Sequence, residues 1–299
     1  HLDGYMNSRL MDLMIRRPCP LNIYWVGHGG NIGLDFFDYI INDPFTADPQ
    51  EYDFELEKEI RIPSAFATSG VFEFDESLTK ADFGFADHTI LINAFNNHIK
   101  INKPYLDAAA RVLKAVPNAV LWFNESRRVN SVWAISNYLR SIGIDDSQYF
   151  FAGRLEPKAK HYARLYVSDF ALDTFTVSMA SGALDNIWAE LPVISMPGDK
   201  FTNRTAGSFN RTLGLDYLNT NSVDEYVDLA IELATNPEKL ARLKAHMRTY
   251  KRQTSMFDGA KFAKEVAAGI SAAVARSREG LPPANIDVPP IFDPIPKFS

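Results

Sequence analysis

Apolar and polar positions alternate along this chain in blocks of strand and helix length. From His88 onward the order is regular. Apolar runs at His88–Ala94, Ala119–Phe123, Gln148–Ala152 and Asp169–Leu172 predict strands, and amphipathic stretches at Pro104–Val116, Asn130–Ile142 and Pro157–Val167 predict the helices between them. In the first helix Leu106, Ala109, Leu113 and Val116 fall at i, i+3, i+7 and i+10, which is one apolar face. Strands alternating with helices predict an α/β fold built on a doubly wound parallel sheet, whose ligands sit at the carboxyl ends of the strands. Ser222-x-x-Glu225 is a capping box that opens a helix over 224–234, and Pro237 begins the next. Phe257–Arg278 carries Ala, Val and Ile at helical spacing and predicts a long helix. Leu281–Ser299 holds six prolines, so it should be an extended tail lying on the surface or disordered.

The first part of the chain is less regular. Leu21–Gly27 is a β-rich run with apolar Ile23, Trp25 and Val26, followed by a glycine turn. Phe36–Ile41 and Lys58–Pro63 read as strand or helix-edge segments, and polar residues with glycine around Asp75–Asp87 mark a boundary. No internal repeat is present.

Composition narrows the class. A chain of 299 residues with 46% hydrophobic and 23% charged positions has the makings of a sizeable globular core. A net charge of −6 argues against nucleic-acid and anionic-membrane partners, so any phosphate contact must be a local cluster. The single cysteine, Cys19, excludes an internal disulfide and suits a reducing compartment. No apolar run approaches ~18 residues and no basic-then-apolar leader opens the sequence, which together predict a cytoplasmic protein. The six histidines are scattered and no D-x-D motif closes a strand, so no metal site is expected.

The most informative stretch is Ala171–Gly198. It reads as a buried strand, a small-residue loop, a helix opening near Ser181-Gly182, and a second short strand at Pro192–Met196 closed by Pro197-Gly198. A strand feeding a helix through small residues leaves backbone N–H groups bare at the positive end of the helix dipole, which suits an anionic group such as phosphate. Asp185 sits one turn inside that helix, where a carboxylate can take a ribose diol. A plain crossover of an α/β protein is the competing reading.

Four ordered motifs decide between them. The first runs from Leu172-Asp173-Thr174 through Leu184-Asp185, Ile187-Trp188 and Pro192 to Pro197-Gly198. The second is Phe95-Asn96-Asn97-His98-Ile99-Lys100-Ile101, and the third Pro157-Lys158-Ala159-Lys160-His161. The fourth is the Gly-rich turn Val26–Gly33 followed by Asp38–Asp43. With these motifs, the chain from Leu21 to about Leu243 resembles the protein O-GlcNAc transferase family (glycosyltransferase family 41), inverting glycosyltransferases of GT-B fold that modify Ser and Thr.

The resemblance implies a GT-B-type fold: a doubly wound, parallel C-lobe and the trailing part of a Rossmann-like N-lobe. It divides the chain into a partial N-terminal catalytic lobe (1–86), a nucleotide-sugar-binding lobe (87–256), a helix crossing back to the N-lobe (257–280) and the Pro-rich tail. His1–Tyr5 matches the middle of a family N-lobe, so the rest of that lobe, with helical repeats in many relatives, is expected upstream; a natural short form is the alternative. The implied donor is a UDP-sugar, UDP-GlcNAc first, and the acceptor a protein or peptide hydroxyl, with no cofactor and no metal. By the family pattern Lys100 touches the leaving diphosphate, Lys158 and His161 flank the uracil, and Asn97, Ser181, Gly182, Ala183 and Asp185 complete the UDP site.

Two departures qualify that picture. The loop Ser178–Ala183 has no histidine and keeps one hydroxyl, Ser181, where relatives carry a Thr pair. In the Gly-rich turn His28 and Gly29 replace Tyr-Pro, which makes His28 an ionisable candidate for acid–base or sugar contact. Three other readings stay open: transfer from UDP-glucose or GDP-fucose on the same scaffold, a non-catalytic nucleotide-sugar-binding or scaffolding relative, and a GT-B epimerase, for which no carboxylate–histidine set can be placed.

Overall fold

The structure, a computed structural model, describes residues 1–2, 8–27, 30, 32–47, 57–125, 129–153 and 158–299; the side chains at 8–10 and 158 lie outside that description. Short helix α1 (Ser8–Met14) precedes three short strands: β1 (Ile23–Tyr24), β2 (Tyr39–Asn42) and β3 (Lys58–Arg61). The regular alternation follows as β4 (Ile90–Ala94), α2 (Lys103–Ala115), β5 (Ala119–Asn124), α3 (Val129–Ser141), β6 (Tyr149–Ala152), α4 (Lys158–Val167) and β7 (Phe170–Leu172). Next come α5 (Ser181–Trp188), β8 (Val193–Ile194), α6 (Thr205–Thr212), α7 (Val223–Thr235), α8 (Pro237–Tyr250), α9 (Gly259–Arg278) and β9 (Ile286–Asp287). The predicted strands and helices after residue 88 are present, with ends shifted by a residue or two, as fraying termini allow. The longer apolar runs at 21–27, 36–41 and 192–196 pair only over two to four residues.

Among the described residues the strands form two parallel sheets, ordered β1-β2-β3-β9 and β6-β5-β4-β7-β8. The second order reverses between β4 and β7, where Ile92 and Asn93 pair with Phe170 and Ala171. Such a reversal is the topological switch point of a doubly wound sheet, and it leaves a crevice beyond the strand carboxyl ends. The core of this sheet is drawn from its strands and both helical layers, including Leu121, Phe123, Phe170, Leu172, Leu113, Ile187 and Phe209. The predicted α2 face is buried at Leu106, Ala109, Leu113 and Val116.

Local chemistry explains the helix starts. Asn102 caps α2 by accepting from Tyr105 N, and Ser222 caps α7 by accepting from Glu225 N at 3.1 Å. The return half of the expected capping box goes elsewhere: Glu225 Oε2 accepts from Asn221 N at 2.8 Å. Helix α9 packs on the first sheet through Phe262 and Ala273, against Tyr39, Ile41, Ile60 and Ile62. Gly269 makes that approach possible, since a Cβ there would lie 2.3 Å from Ile60 Cγ2 and 3.1 Å from Val288 Cγ2. Among the described residues no helix is long and apolar enough to cross a membrane.

The tail is extended, as its prolines predict, but it is not loose. Strand β9 pairs with β3 in parallel, Ile60 with Ile286 and Arg61 with Asp287, and Val288 is buried. Farther on, Phe298 N donates to Gly214 O at 2.8 Å and Lys297 pairs with Asp216 at 3.5 Å. Gly214 admits this contact, because a Cβ there would stand 2.3 Å from Pro296 O.

Candidate active site

The loop leaving β4, and the loop leaving β7 together with the helix it enters, flank the switch point and carry most of the residues singled out in the sequence. After β4 the chain turns through Asn96 and Asn97 into a short 3-10 turn at His98–Lys100. After β7 it runs from Asp173 to Ala180 and enters α5. Asn96 holds the two loops together, its Nδ2 donating to Leu172 O at 3.2 Å and its Oδ1 accepting from Thr174 Oγ1 at 3.4 Å. With the first turns of α4 they enclose a cavity of about 320 Å³ lined by Asn97, Lys100, His161, Arg164, Ser181, Gly182 and Asp185, among others.

Lys100 is half-buried and its Nζ donates to Ser178 O at 2.8 Å. Burial lowers its pKa, while Asp173 pushes it back up. Lys100 also lines a second, more apolar cavity of about 410 Å³ that includes Phe66, Val177, Leu184, Phe201 and Phe209 and reaches Val26 and Gly27. Lys100, Ala180 and Ser181 line both, so these three residues stand where the two cavities meet.

Helix α5 opens without a side-chain cap at Ala180. The amides of Ser181 and Gly182 have no acceptor among the described residues, whereas Ala183 N donates to Ala180 O at 3.0 Å. Ala183 is fully buried, so it does not join the group that lines the cavity, and the open donors are the two residues before it. Bare amides at a helix N-terminus attract anions. A Cβ at Gly182 would meet nothing within 4 Å, so the glycine is not sterically required there.

The far wall is set by α4. His161 Nδ1 accepts from Arg164 Nε at 2.9 Å, which leaves the ring proton on Nε2. The imidazole lies nearly parallel to Phe95, 6.1 Å between centroids, and the Arg164 guanidinium sits 4.3 Å from the centroid of the same ring. Burial lowers the Arg164 pKa to about 10, so it remains a cation at neutral pH. Asp185 Oδ1 accepts from Tyr162 OH at 2.8 Å. Arg164 and Tyr162 were missed in the sequence; the signal available was the i, i+3 spacing of Arg164 from His161 on one helix face. Asn97 commits its Oδ1 to Ile99 N at 3.2 Å, so its amide nitrogen is the group it can offer a ligand. The neighbouring His98 is taken up structurally: Nδ1 meets Ser131 Oγ and Nε2 meets Asn124 O, both at 2.8 Å, and burial lowers its pKa.

His28 lies outside the described residues, and so does the side chain of Lys158, whose backbone begins α4. Among the described residues no group of three His, Cys, Asp or Glu side chains is arranged to hold a metal ion.

Known proteins share this architecture. The probable UDP-N-acetylglucosamine–peptide N-acetylglucosaminyltransferase SEC of Arabidopsis thaliana is 25% identical over 274 residues, 89% of this chain and 28% of that protein. The chain thus spans less than a third of the length of that relative. A mutant of the Thermobaculum terrenum O-GlcNAc transferase superposes with a TM-score of 0.80 at 24% identity, over 93% of this chain and 52% of that one. Anabaena Alr3699/HepE in complex with UDP gives a TM-score of 0.56 at 13% identity, over 92% and 75%. The likeness to the Thermobaculum enzyme shows a GT-B-type fold. The family pattern described as "Glycosyl transferase family 41" matches residues 67–266, about two thirds of the sequence, and the chain therefore belongs to that family.

Proposed function

We propose that this chain acts as a protein O-glycosyltransferase, moving a sugar, GlcNAc as the leading candidate, from a UDP-sugar to a Ser or Thr hydroxyl with inversion. One observation carries the reading: the Lys100 ammonium and the two bare amides of α5 converge on one cavity at the switch point. There the donor diphosphate lies against Lys100, Ser181 and Gly182. Asp185 takes the ribose, and His161 with Lys158 and the Asn97 amide serves the nucleotide. The acceptor oxygen attacks the anomeric carbon from the face opposite UDP. A C–O bond forms, the bond to the diphosphate oxygen breaks, and the electron pair leaves with the nucleotide. His28 follows Val26 and Gly27, which line the second cavity, and we assign it to sugar or proton contact.

Charge on the leaving group is met by a fixed cation and a helix N-terminus, so we read the reaction as metal-independent, in a cytoplasmic setting suited to the lone, exposed Cys19. Calorimetry on the full chain should show UDP binding with little change when magnesium is added; a strict metal requirement would remove the site as drawn. The shortage of polar groups in the 178–183 loop predicts weak, unselective donor binding, with UDP-GlcNAc and UDP-glucose poorly separated. Because space is open at Gly182, the Ala180→His, Gly182→Thr double variant should fold. It should bind donor roughly ten- to a hundredfold more tightly, the ~1.5–3 kcal/mol of a hydrogen bond to a charged oxygen. Unchanged affinity in that variant would place the loop away from the donor.

A further inference from the structure

We infer that Asp173 is a positioning residue that fixes the 174–180 loop at the cavity wall and serves as the counter-charge of Lys100. It follows β7 directly, and its carboxylate is buried among four donors. Oδ1 accepts from Thr174 N at 2.9 Å and Met179 N at 2.6 Å. Oδ2 accepts from Ser178 Oγ at 2.6 Å and Ser195 Oγ at 2.8 Å. The carboxylate thus ties the loop to β7 and to the end of β8.

Ser178 links this hub to Lys100. Its hydroxyl donates to Asp173 while its carbonyl accepts from Lys100 Nζ at 2.8 Å. The same hydroxyl accepts from Ala206 N at 2.9 Å, and Thr205 Oγ1 donates to Met179 O at 2.7 Å, so α6 pins the loop from the other side. The peptide that orients Lys100 is therefore held by a carboxylate within electrostatic reach of the ammonium. A buried cation keeps its proton more firmly beside an opposite charge, which is the form a diphosphate needs.

Among the described residues, Lys100, Tyr105 and Tyr226 are the titratable groups that face Asp173. Both tyrosines are buried and pushed well above the ordinary phenol range. Tyr226 OH donates to Asp173 O at 2.8 Å and Tyr105 OH to Leu172 O at 3.3 Å, so neither competes for the charge. Burial pushes the Asp173 carboxyl up to about 6, against the pull of its donors and of Lys100.

The inference rests on the proposed diphosphate role of Lys100, yet its test needs no nucleotide. The full chain is labelled at lysine Cε, and the Lys100 signal is identified by its loss in Lys100→Arg. In Asp173→Asn the two backbone amides keep their oxygen acceptor and the serine hydroxyls can turn to accept, so the charge is removed with little change of shape. Lys100 should then titrate lower by about one pH unit or more. Ser195→Ala, which loosens the same hub but keeps the charge, should leave the Lys100 titration in place. The unmodified protein supplies an independent reading should the Asn variant fail to fold: its Lys100 signal should show a second inflection near the Asp173 titration, at about 6. An unmoved Lys100 titration in Asp173→Asn, or no acid inflection in the unmodified chain, overturns the inference. A wild-type turnover in Lys100→Ala would overturn the diphosphate role instead, and the two failures are read on different experiments.

Discussion

Lys100→Ala is expected to cut turnover by roughly 10²-fold or more, with nucleotide affinity less affected. That is the scale of losing one preorganised donor where charge develops. In the proposed transfer the diphosphate gains one negative charge as the glycosidic bond breaks, so a fixed cation there acts more strongly on the transition state than on the bound donor. Lys100 is half-buried, its Nζ donates to Ser178 O at 2.8 Å, and the residue lines both cavities. Water around an alanine at this position cannot restore an oriented charge. Single-turnover kinetics at saturating donor separate the two effects, and a mutant that turns over at the normal rate would remove Lys100 from the mechanism.

Glu190→Ala is expected to lower stability by about 3 kcal/mol or more, the scale of stranding a buried charge. Glu190 follows the end of α5 with a left-handed φ of 59° and is buried. Its Oε1 lies 3.0 Å from Lys251 Nζ and its Oε2 2.6 Å from Arg248, while Lys251 also donates to Trp188 O at 2.6 Å. Arg248 is half exposed and can turn to solvent, but Lys251 is buried and would keep only the carbonyl and ring face of Trp188, with no counter-charge in contact. Burial already lowers the Lys251 pKa and Glu190 opposes that shift. Without Glu190 the folded chain sheds the Lys251 proton at lower pH than the unfolded chain does. The unfolded state then binds more protons between the two values, and stability of the mutant rises with pH across that window. Urea unfolding at about pH 7 and about pH 9 should therefore show a deficit that shrinks on the alkaline side. A double change of Glu190 and Lys251 to Met should recover most of the loss. A deficit below about 1 kcal/mol at neutral pH would mean that Lys251 is not stranded.

Much of this was legible because its determinants are local. The 3.6-residue apolar face of α2 and the Pro and Ser signals at α7 and α8 sit within one turn of what they specify. Lys100, His161, Ser181, Gly182 and Asp185 could be named as candidates because each sits in a short local motif, and the fold brings all five to the lining of one cavity. What escaped was decided by contacts across the fold. Arg164 is a cavity residue through its bond to His161, for which the i, i+3 spacing was the one local signal, and through its place over Phe95, of which the sequence gives no sign. That Ala183 stands outside the cavity lining could not be read locally, because its satisfied amide depends on the residue at which α5 begins, and Ala180 carries no capping side chain to mark it. The two-residue strand β9 is too short to leave a pattern, and the prolines around it read as a surface tail.

That strand has a consequence for how the protein is made. Glu59 and Asn285, bonded at the head of the β3–β9 pair, are 226 residues apart in sequence. At about 5–20 residues per second, a ribosome takes roughly 10–50 s to cover that interval. Throughout it the outer backbone of β3 has no partner, and an unpaired strand invites pairing with other nascent chains. The sequence of β3 is Lys-Glu-Ile-Arg, charged at every position but one. Charged side chains on an open strand oppose such pairing, so the composition of β3 suits a strand whose own partner emerges last.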